Sequence, residues 1–308
     1  FPTRRSSDLR VALGMPLHHV GLVMAAMLRG YGDTRTPLQA NILSNVFNVI
    51  GNFFLIFPTR TVLIHTWSVT VPGAGLGVSG AAIATAITQS LFGLFLILVF
   101  LKRRFPLQFK RGQSFRPVKA DLKNIFRIGI PAALDRASHT IGLLFYVRII
   151  AVLGTVSLAA HHLASSAEMI TYMPAIGFGT AATTLVGQSI GARHQSDAWS
   201  FGRVSVIVGT IVMSVMAIVL FLFAQPLVGL FTQDLFVIEM TVRTLRSYVW
   251  CLPLFAVSII SSGAMRGAGD TRIPFYFAMA GMWLIRLPLS LAAVFLLGWG
   301  LPAVWIAM

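Results

Sequence analysis

Apolar residues dominate long stretches of this chain, and short polar joints separate them. Runs long enough to cross a bilayer as helix fall at residues 11–28, 37–57, 78–101, 125–153, 158–190, 204–223, 241–265 and 274–297, and a ninth begins at Leu301. About 20 helical residues span a hydrocarbon core. The pattern therefore predicts an all-α polytopic membrane protein.

Polar residues inside such runs are the informative positions. Two acids, Asp135 and Glu168, fall within long apolar runs, and an unpaired charge at a helix centre costs about 3 kcal/mol on insertion scales. Asp135 and His139 are four apart and share a helical face; His161, Ser165, Glu168 and Tyr172 follow a 4, 3, 4 spacing on the next helix. One reading makes these stripes a cation or proton site, because an acid in low dielectric favours a neutralising partner. The other is structural: Asp135 or Glu168 pairs with Arg136, Arg148 or Arg286 and locks helices together. A second stripe, Asn41, Asn45, Asn48 and Asn52, repeats at 4, 3, 4 along residues 37–57. Four amides facing lipid are costly, so they line a cavity or pack against protein.

A repeated phrase organises the chain. Arg29-Gly-Tyr-Gly-Asp-Thr-Arg-Thr-Pro37 recurs 237 positions later as Arg266-Gly-Ala-Gly-Asp-Thr-Arg-Ile-Pro274, each copy between two apolar runs. Its glycines suit tight turns, Asp33 and Asp270 suit capping, and Pro37 and Pro274 suit a first helical turn. Six runs separate the copies, so both face the same side, as in parallel repeats. The basic stretch 102–127 is the natural seam. By analogy with the second half, the first lacks three helices, and the expected whole is two parallel six-helix repeats, about twelve spans, with the end of the last helix also missing. The expected domains are a non-native scar at 1–8, three helices of an N-lobe at 9–101, a cytoplasmic linker at 102–124 and a C-lobe at 125–308. At the repeat offset the Asn stripe becomes Ala278, Met282, Ile285 and Leu289, one polar and one apolar wall.

Composition agrees with a lipid setting: 56% of residues are hydrophobic, 11% charged, and the mean hydropathy is +0.81. The net charge of +15 sorts by side. Fifteen Lys or Arg, from Arg29 and Arg35 through the cluster at 102–127 to Arg193, Arg203, Arg266 and Arg272, fall on one face; Arg60 falls on the other, with Arg243 and Arg246 near it. That is the positive-inside pattern of an inner or plasma membrane, and it removes the reason to invoke nucleic acid. The single cysteine, Cys251, lies in an apolar run, so no disulfide framework is indicated. Residues 1–8 have no apolar core of a signal peptide. Gly75-Leu-Gly-Val-Ser-Gly80 fits a dinucleotide pattern, but the pattern of residues predicts a loop before it and an apolar span after it, not a strand of a βαβ unit. The adjacent pairs His18-His19 and His161-His162 point to different helix faces and make no zinc set. Pro174, with Gly177 and Gly179, predicts a kink within 158–190.

The repeated phrases, with Gly129-Ile-Pro131, Leu153-Gly-Thr155, Ala159-Ala-His161 and Ala182-Thr-Thr-Leu-Val-Gly-Gln-Ser-Ile-Gly-Ala192, together resemble the bacterial MATE (multidrug and toxic compound extrusion) transporters over nearly the whole chain. The resemblance implies two six-helix lobes around a central cavity in the bacterial inner membrane. It implies a non-enzymatic antiporter, monomeric and without a cofactor, exporting organic cations or other amphiphiles in exchange for Na⁺ or H⁺. Asp135-Arg136 and Glu168 match a Glu-Arg pair and a Glu of one bacterial branch; better-known branches carry the acid one turn later, where this chain has His139. Two other readings stand beside this one: a lipid-linked saccharide flippase, which requires a basic cavity drawing on Arg136, Arg148 and Arg286, and a membrane-embedded transferase using His161 and Glu168 as acid and base.

Overall fold

Helices run through each of the eight apolar stretches in a computed structural model of the chain, which describes residues 2–64, 67–102 and 118–307. Contacts divide it into two compact units, Phe1–Phe115 and Arg116–Met308.

The first unit holds α1 (Pro2–Tyr31), α2 (Arg35–Ile56) and α3 (Val78–Lys102). Helices α1 and α3 approach through glycine: a Cβ on Gly21 would lie 2.8 Å from the Cα of Gly93. That approach brings Ala25, Leu28, Phe92, Leu96 and Phe100 into one small core. The apolar pattern predicts no element between α2 and α3, yet an antiparallel hairpin stands there, so Gly75–Gly80, expected to follow a loop, follows a strand, one of a two-stranded antiparallel hairpin and not of a βαβ unit. Strand β1 (Pro58–Ile64) pairs with β2 (Trp67–Ala74), Arg60 opposite Val71 and Thr61 opposite Thr70. The β-branched residues Thr59, Thr61, Val62, Val69, Thr70 and Val71 favour that pleated form. The Arg60 guanidinium lies over the rings of Phe57, at 4.1 Å, and Phe53, at 4.7 Å, so cation–π attraction ties the hairpin to the end of α2.

The second unit holds α4 (Lys119–Ala151), α5 (Thr155–Gly191), α6 (Gln195–Gly229), α7 (Leu235–Tyr248), α8 (Leu252–Gly267), α9 (Arg272–Ala280), α10 (Leu287–Leu291) and α11 (Leu301–Ile306). A single 3-10 turn joins α7 to α8, so the run at 241–265 is one bent rod. Two π-helical stretches, Gly281–Arg286 and Ala292–Leu296, flank α10. Helix α4 starts at Lys119, inside the stretch read as a linker, and residues 103–117 of that stretch lie outside the described residues. Likewise α1 starts at Pro2, inside the stretch read as a scar, and Phe1 lies outside the described residues.

Among the described residues five helical stretches are long and apolar enough to cross a membrane: Val78–Lys102, Thr155–Gly191, Gln195–Gly229, Leu235–Gly267 and Arg272–Leu296. Helices α2 and α4 have the length, 22 and 33 residues, but the Asn stripe and the charges around Asp135 lower their hydropathy.

Small residues set how these helices meet. A Cβ on Gly263 would strike the backbone of Gly179, and one on Gly267 the backbone of Thr183. Thr183 Oγ1 then reaches across to the carbonyl of Gly263 at 2.8 Å. This is close packing of the small-xxx-small kind, in which missing side chains let two backbones touch. Gly179 thus packs against a neighbouring helix, whereas Gly177 has open space beyond its Cα.

Both copies of the repeated phrase form the same turn. Gly32 and Gly269 take left-handed φ angles of 100° and 85°, a conformation that glycine adopts without strain. Asp33 Oδ1 accepts from the Thr36 amide at 2.9 Å, and Asp270 Oδ1 from the amides of Arg272 and Ile273 at 2.9 and 3.1 Å. The aspartates cap the next helix, as the sequence suggests.

Two glycines of this unit should answer substitution in opposite ways. Gly263→Ala should lower the thermal midpoint of the detergent-solubilised protein, with a loss of about 1–3 kcal/mol from overpacking. Gly177→Ala should leave it unchanged or raise it slightly, as expected for an unhindered helical glycine. Fluorescence-detected thermal unfolding of the two variants checks both.

Candidate functional site

Glu168 lies two-fifths of the way along α5 and faces α7. Its Oε1 accepts a 2.6 Å hydrogen bond from the Tyr248 hydroxyl. Tyr248 is buried, and its ring meets Trp305 of α11 edge-on, centroids 5.2 Å apart. The Trp305 indole Nε1–H donates to His161 Nδ1 at 3.2 Å. An indole can only donate, so Nδ1 is the unprotonated nitrogen of His161. The His161 ring lies 5.8 Å from that of Tyr146, whose hydroxyl donates to the Val304 carbonyl at 3.0 Å. Over the other part of the Tyr146 ring, at 4.1 Å, sits the Arg286 guanidinium. One buried chain of contacts therefore runs from Glu168 through Tyr248, Trp305, His161 and Tyr146 to Arg286.

Charge within this chain is sparse and separated. Arg286 is only 7% exposed and its Nε has no hydrogen-bond partner among the described residues. No carboxylate there lies within ion-pairing distance of it. It is still close enough to act electrostatically on Glu168. Arg286 ends one of the π-helical stretches, a local widening of the helix that recurs at functional sites. Among the described residues no group of three or more His, Cys, Asp or Glu could hold a metal ion.

Asp135 belongs to a separate arrangement. Its Oδ2 accepts from the Arg266 guanidinium at 2.7 Å, so its partner is the first residue of the second repeated phrase and none of Arg136, Arg148 and Arg286. Helix α4 carries Asp135 to this point, and the Thr271 hydroxyl, donating to the Ile128 carbonyl at 3.3 Å, pins the turn after α8 beside it. His139, one turn on, is exposed, while Ser138 accepts from the Trp283 indole at 2.8 Å. Tyr172, one turn beyond Glu168, packs its ring on Phe255 at 5.6 Å. The structure thus joins Glu168 and His161 in one chain of contacts, gives Asp135 its own ion pair with Arg266, and leaves His139 exposed one turn beyond Asp135 and Tyr172 one turn beyond Glu168 on the same helix.

The Asn stripe of α2 divides along its length. Asn48 Nδ2 donates to Thr88 Oγ1 of α3 at 3.1 Å, and Asn52 Nδ2 to Asn48 Oδ1 at 2.9 Å. Asn41 and Asn45 are exposed in their unit, with Asn45 Nδ2 bonded to the Asn41 carbonyl at 3.0 Å. Half of the stripe is interhelical packing and half is open polar surface.

Sequence spacing alone does not single out Tyr248, Trp305, Tyr146 or Arg266. The first three are aromatic residues in apolar runs, where a polar tip is the only hint of a partner.

The profile of the MatE family matches residues 131–292, more than half of the chain. This chain is a member of the MatE family. It is 30% identical over 287 residues to a probable multidrug resistance protein NorM of Thermotoga maritima, covering 93% of this chain and 59% of that protein. It is 26% identical over 286 residues to the transporter YisQ of Bacillus subtilis, covering 93% and 60%. This MatE chain therefore spans about three fifths of the length of these curated relatives. Its fold matches that of an outward-facing multidrug resistance MATE family transporter of the MOP superfamily, with a TM-score of 0.81 at 23% identity over 93% of this chain and 61% of that one. It also matches a MOP superfamily transporter from Pyrococcus furiosus, with a TM-score of 0.80 at 21% identity over 99% and 74%. The all-α polytopic membrane fold expected from the apolar runs is the fold of these structures.

A double-mutant cycle should separate the two acids. Asp135→Asn and Arg266→Gln should couple by about 0.5–1 kcal/mol, as a partly exposed ion pair does. Glu168→Gln and Arg266→Gln should be additive. Thermal unfolding of the single and double variants reads both results.

Proposed function

We propose that this chain works in secondary active export, moving organic cations or amphiphilic drugs out of a bacterium across its inner membrane in exchange for Na⁺ or H⁺. In this reading residues 9–101 belong to one lobe and 125–308 to the other, the transporter acts as a monomer, and transport proceeds by alternating access. Relatives named as multidrug resistance proteins support the cargo class. Intramembrane acids support the coupling.

One observation carries the assignment of the acid. Glu168 sits in an apolar helix and its bonded partner is the neutral Tyr248 hydroxyl. Asp135 already has a guanidinium at 2.7 Å. An acid held by a hydroxyl keeps its negative charge open to an exchangeable cation, while one held by arginine has been neutralised from within. Glu168 is the proposed coupling residue and Asp135 the latch that holds α4 to the end of α8. Arg286, buried near Glu168, acts as a resident positive charge that favours release of the ion once it has bound.

Ethidium efflux from pump-deficient cells expressing the gene that encodes this sequence tests the reading under separate Na⁺ and H⁺ gradients. Unaltered protein should follow one gradient, and Glu168→Gln should abolish efflux at equal membrane expression. Asp135→Asn should slow it without changing which gradient drives it. Arg286→Gln should lower the ion concentration at half-maximal rate. Full efflux by Glu168→Gln would remove the acid from the mechanism. Absence of efflux in the unaltered protein, with transport of lipid-linked saccharide in its place, would favour the flippase.

A further inference from the structure

Three helices of this chain end on one backbone pattern. At the end of α1 the amide of Asp33 bonds to the Leu28 carbonyl and that of Gly32 to Arg29, both at 2.9 Å; at the end of α8 the amides of Asp270 and Gly269 bond to Met265 and Arg266, both at 3.0 Å. At the end of α5 the amides of His194 and Arg193 bond to Ser189 and Ile190, both at 2.9 Å. This is the Schellman closure, whose penultimate residue must take a left-handed φ. Glycine fills that position in α1 and α8, but in α5 it is Arg193, at φ 63°. Arg193 is the single non-glycine residue with positive φ among the described residues. A side chain there strains the backbone where glycine would not, which sets Arg193 apart from the other two closures.

Arg193 lines a groove of about 1010 Å³ formed by α5, α6 and α8. The walls are apolar, with Val186 from α5, Val206 from α6 and Met265 from α8. A second arginine, Arg203 of α6, lines the groove, and Trp199, 76% exposed, stands beside it. Neither arginine has an ion-pair partner among the described residues, and the neighbouring acid, Asp197, is bonded to His194 at 3.2 Å. Both arginines belong to the face that the distribution of basic residues places in the cytoplasm.

We propose that this groove binds one anionic phospholipid of the cytoplasmic leaflet, with an acyl chain along the apolar walls and the phosphodiester between Arg193 and Arg203. Charge complementarity selects this occupant. Two unpaired guanidiniums suit a phosphate oxygen cluster, basic clusters at the cytoplasmic ends of membrane helices attract anionic headgroups, and an exposed tryptophan suits the membrane–water interface. The apolar walls suit a ligand with a hydrocarbon tail, which a free phosphate lacks. The site is independent of the proposed ion coupling at Glu168.

The test measures lipid binding to the purified full chain by native mass spectrometry and thermal shift, with phosphatidylglycerol, phosphatidylcholine and soluble glycerol phosphate as probes. Phosphatidylglycerol should bind and stabilise; phosphatidylcholine and glycerol phosphate should do so much more weakly. Arg193→Gly and Arg203→Gln should each weaken phosphatidylglycerol binding about fivefold, the effect of one basic residue at an anionic surface. Arg193→Gly removes the backbone strain, so without lipid it should unfold at the same or a higher temperature, which separates lost binding from misfolding. Equal binding of the two lipids would overturn the proposal, as would undiminished binding in both variants. Binding of glycerol phosphate as tight as that of the lipid would assign a phosphate site and overturn it too.

Discussion

The contact between α5 and α8 fixes the geometry of the larger unit. Where Gly263 and Gly267 lie on the backbone of α5, the two helices cannot slide or turn without collision. The register it imposes persists: Thr183 bonds to Gly263, and Glu168 to Tyr248, each across 80 positions. The two rods thus advance in parallel and in step over 15 residues, about 22 Å of helix rise, through the 3-10 turn that separates α7 from α8. A close approach of bare backbones at one end sets the hydroxyl against the carboxylate at the other. Arg266 gains its position from the same contact, since it precedes Gly267 and projects from the final turn of α8 toward Asp135.

This arrangement separates two ways of keeping an acid in an apolar helix. Asp135 is stabilised by a full opposite charge near the end of the bundle, where Arg266 is 44% exposed and water can share the cost. Glu168 lies among aromatic residues and, among the described residues, is held by one neutral donor, Tyr248. The buried cation nearest in influence, Arg286, rests on an aromatic face and forms no ion pair with it. Holding two opposite charges near each other but unjoined is unfavourable for packing alone. It suits the coupling role proposed for Glu168.

Much of this was legible in the sequence, and the limits follow from what periodicity encodes. Apolar runs located the helices because lipid exposure demands them, and the repeated phrase foretold both turns because a left-handed glycine followed by a capping aspartate has few alternatives. Spacing put Glu168 and His161 on one face of α5, and the structure unites them. It could not say that Asp135 would meet Arg266 while His139, one turn on, stays exposed, since a partner occupies only part of a shared face. Arg266 was hidden by its assignment to a connection: it lies inside the last helical turn, and its long side chain reaches another helix. The hairpin between α2 and α3 escaped because its alternation is mostly threonine and valine, too polar to register as a run. The Asn stripe shows the same limit, for only the neighbouring Thr88 decides that Asn48 is packed while Asn41 is not.

The residue that completes the polar chain comes from far downstream. Trp305 bonds to His161 from 144 positions later, and Tyr248 reaches Glu168 from 80 positions later. At synthesis rates of roughly 5–20 residues per second, His161 emerges about 7–30 s before its indole donor, and Glu168 about 4–16 s before its hydroxyl. During that interval α5 exists without the donors that His161 and Glu168 use in the folded chain. A delay between the polar groups of α5 and their partners on α7 and α11 is therefore written into the order of the elements along the chain.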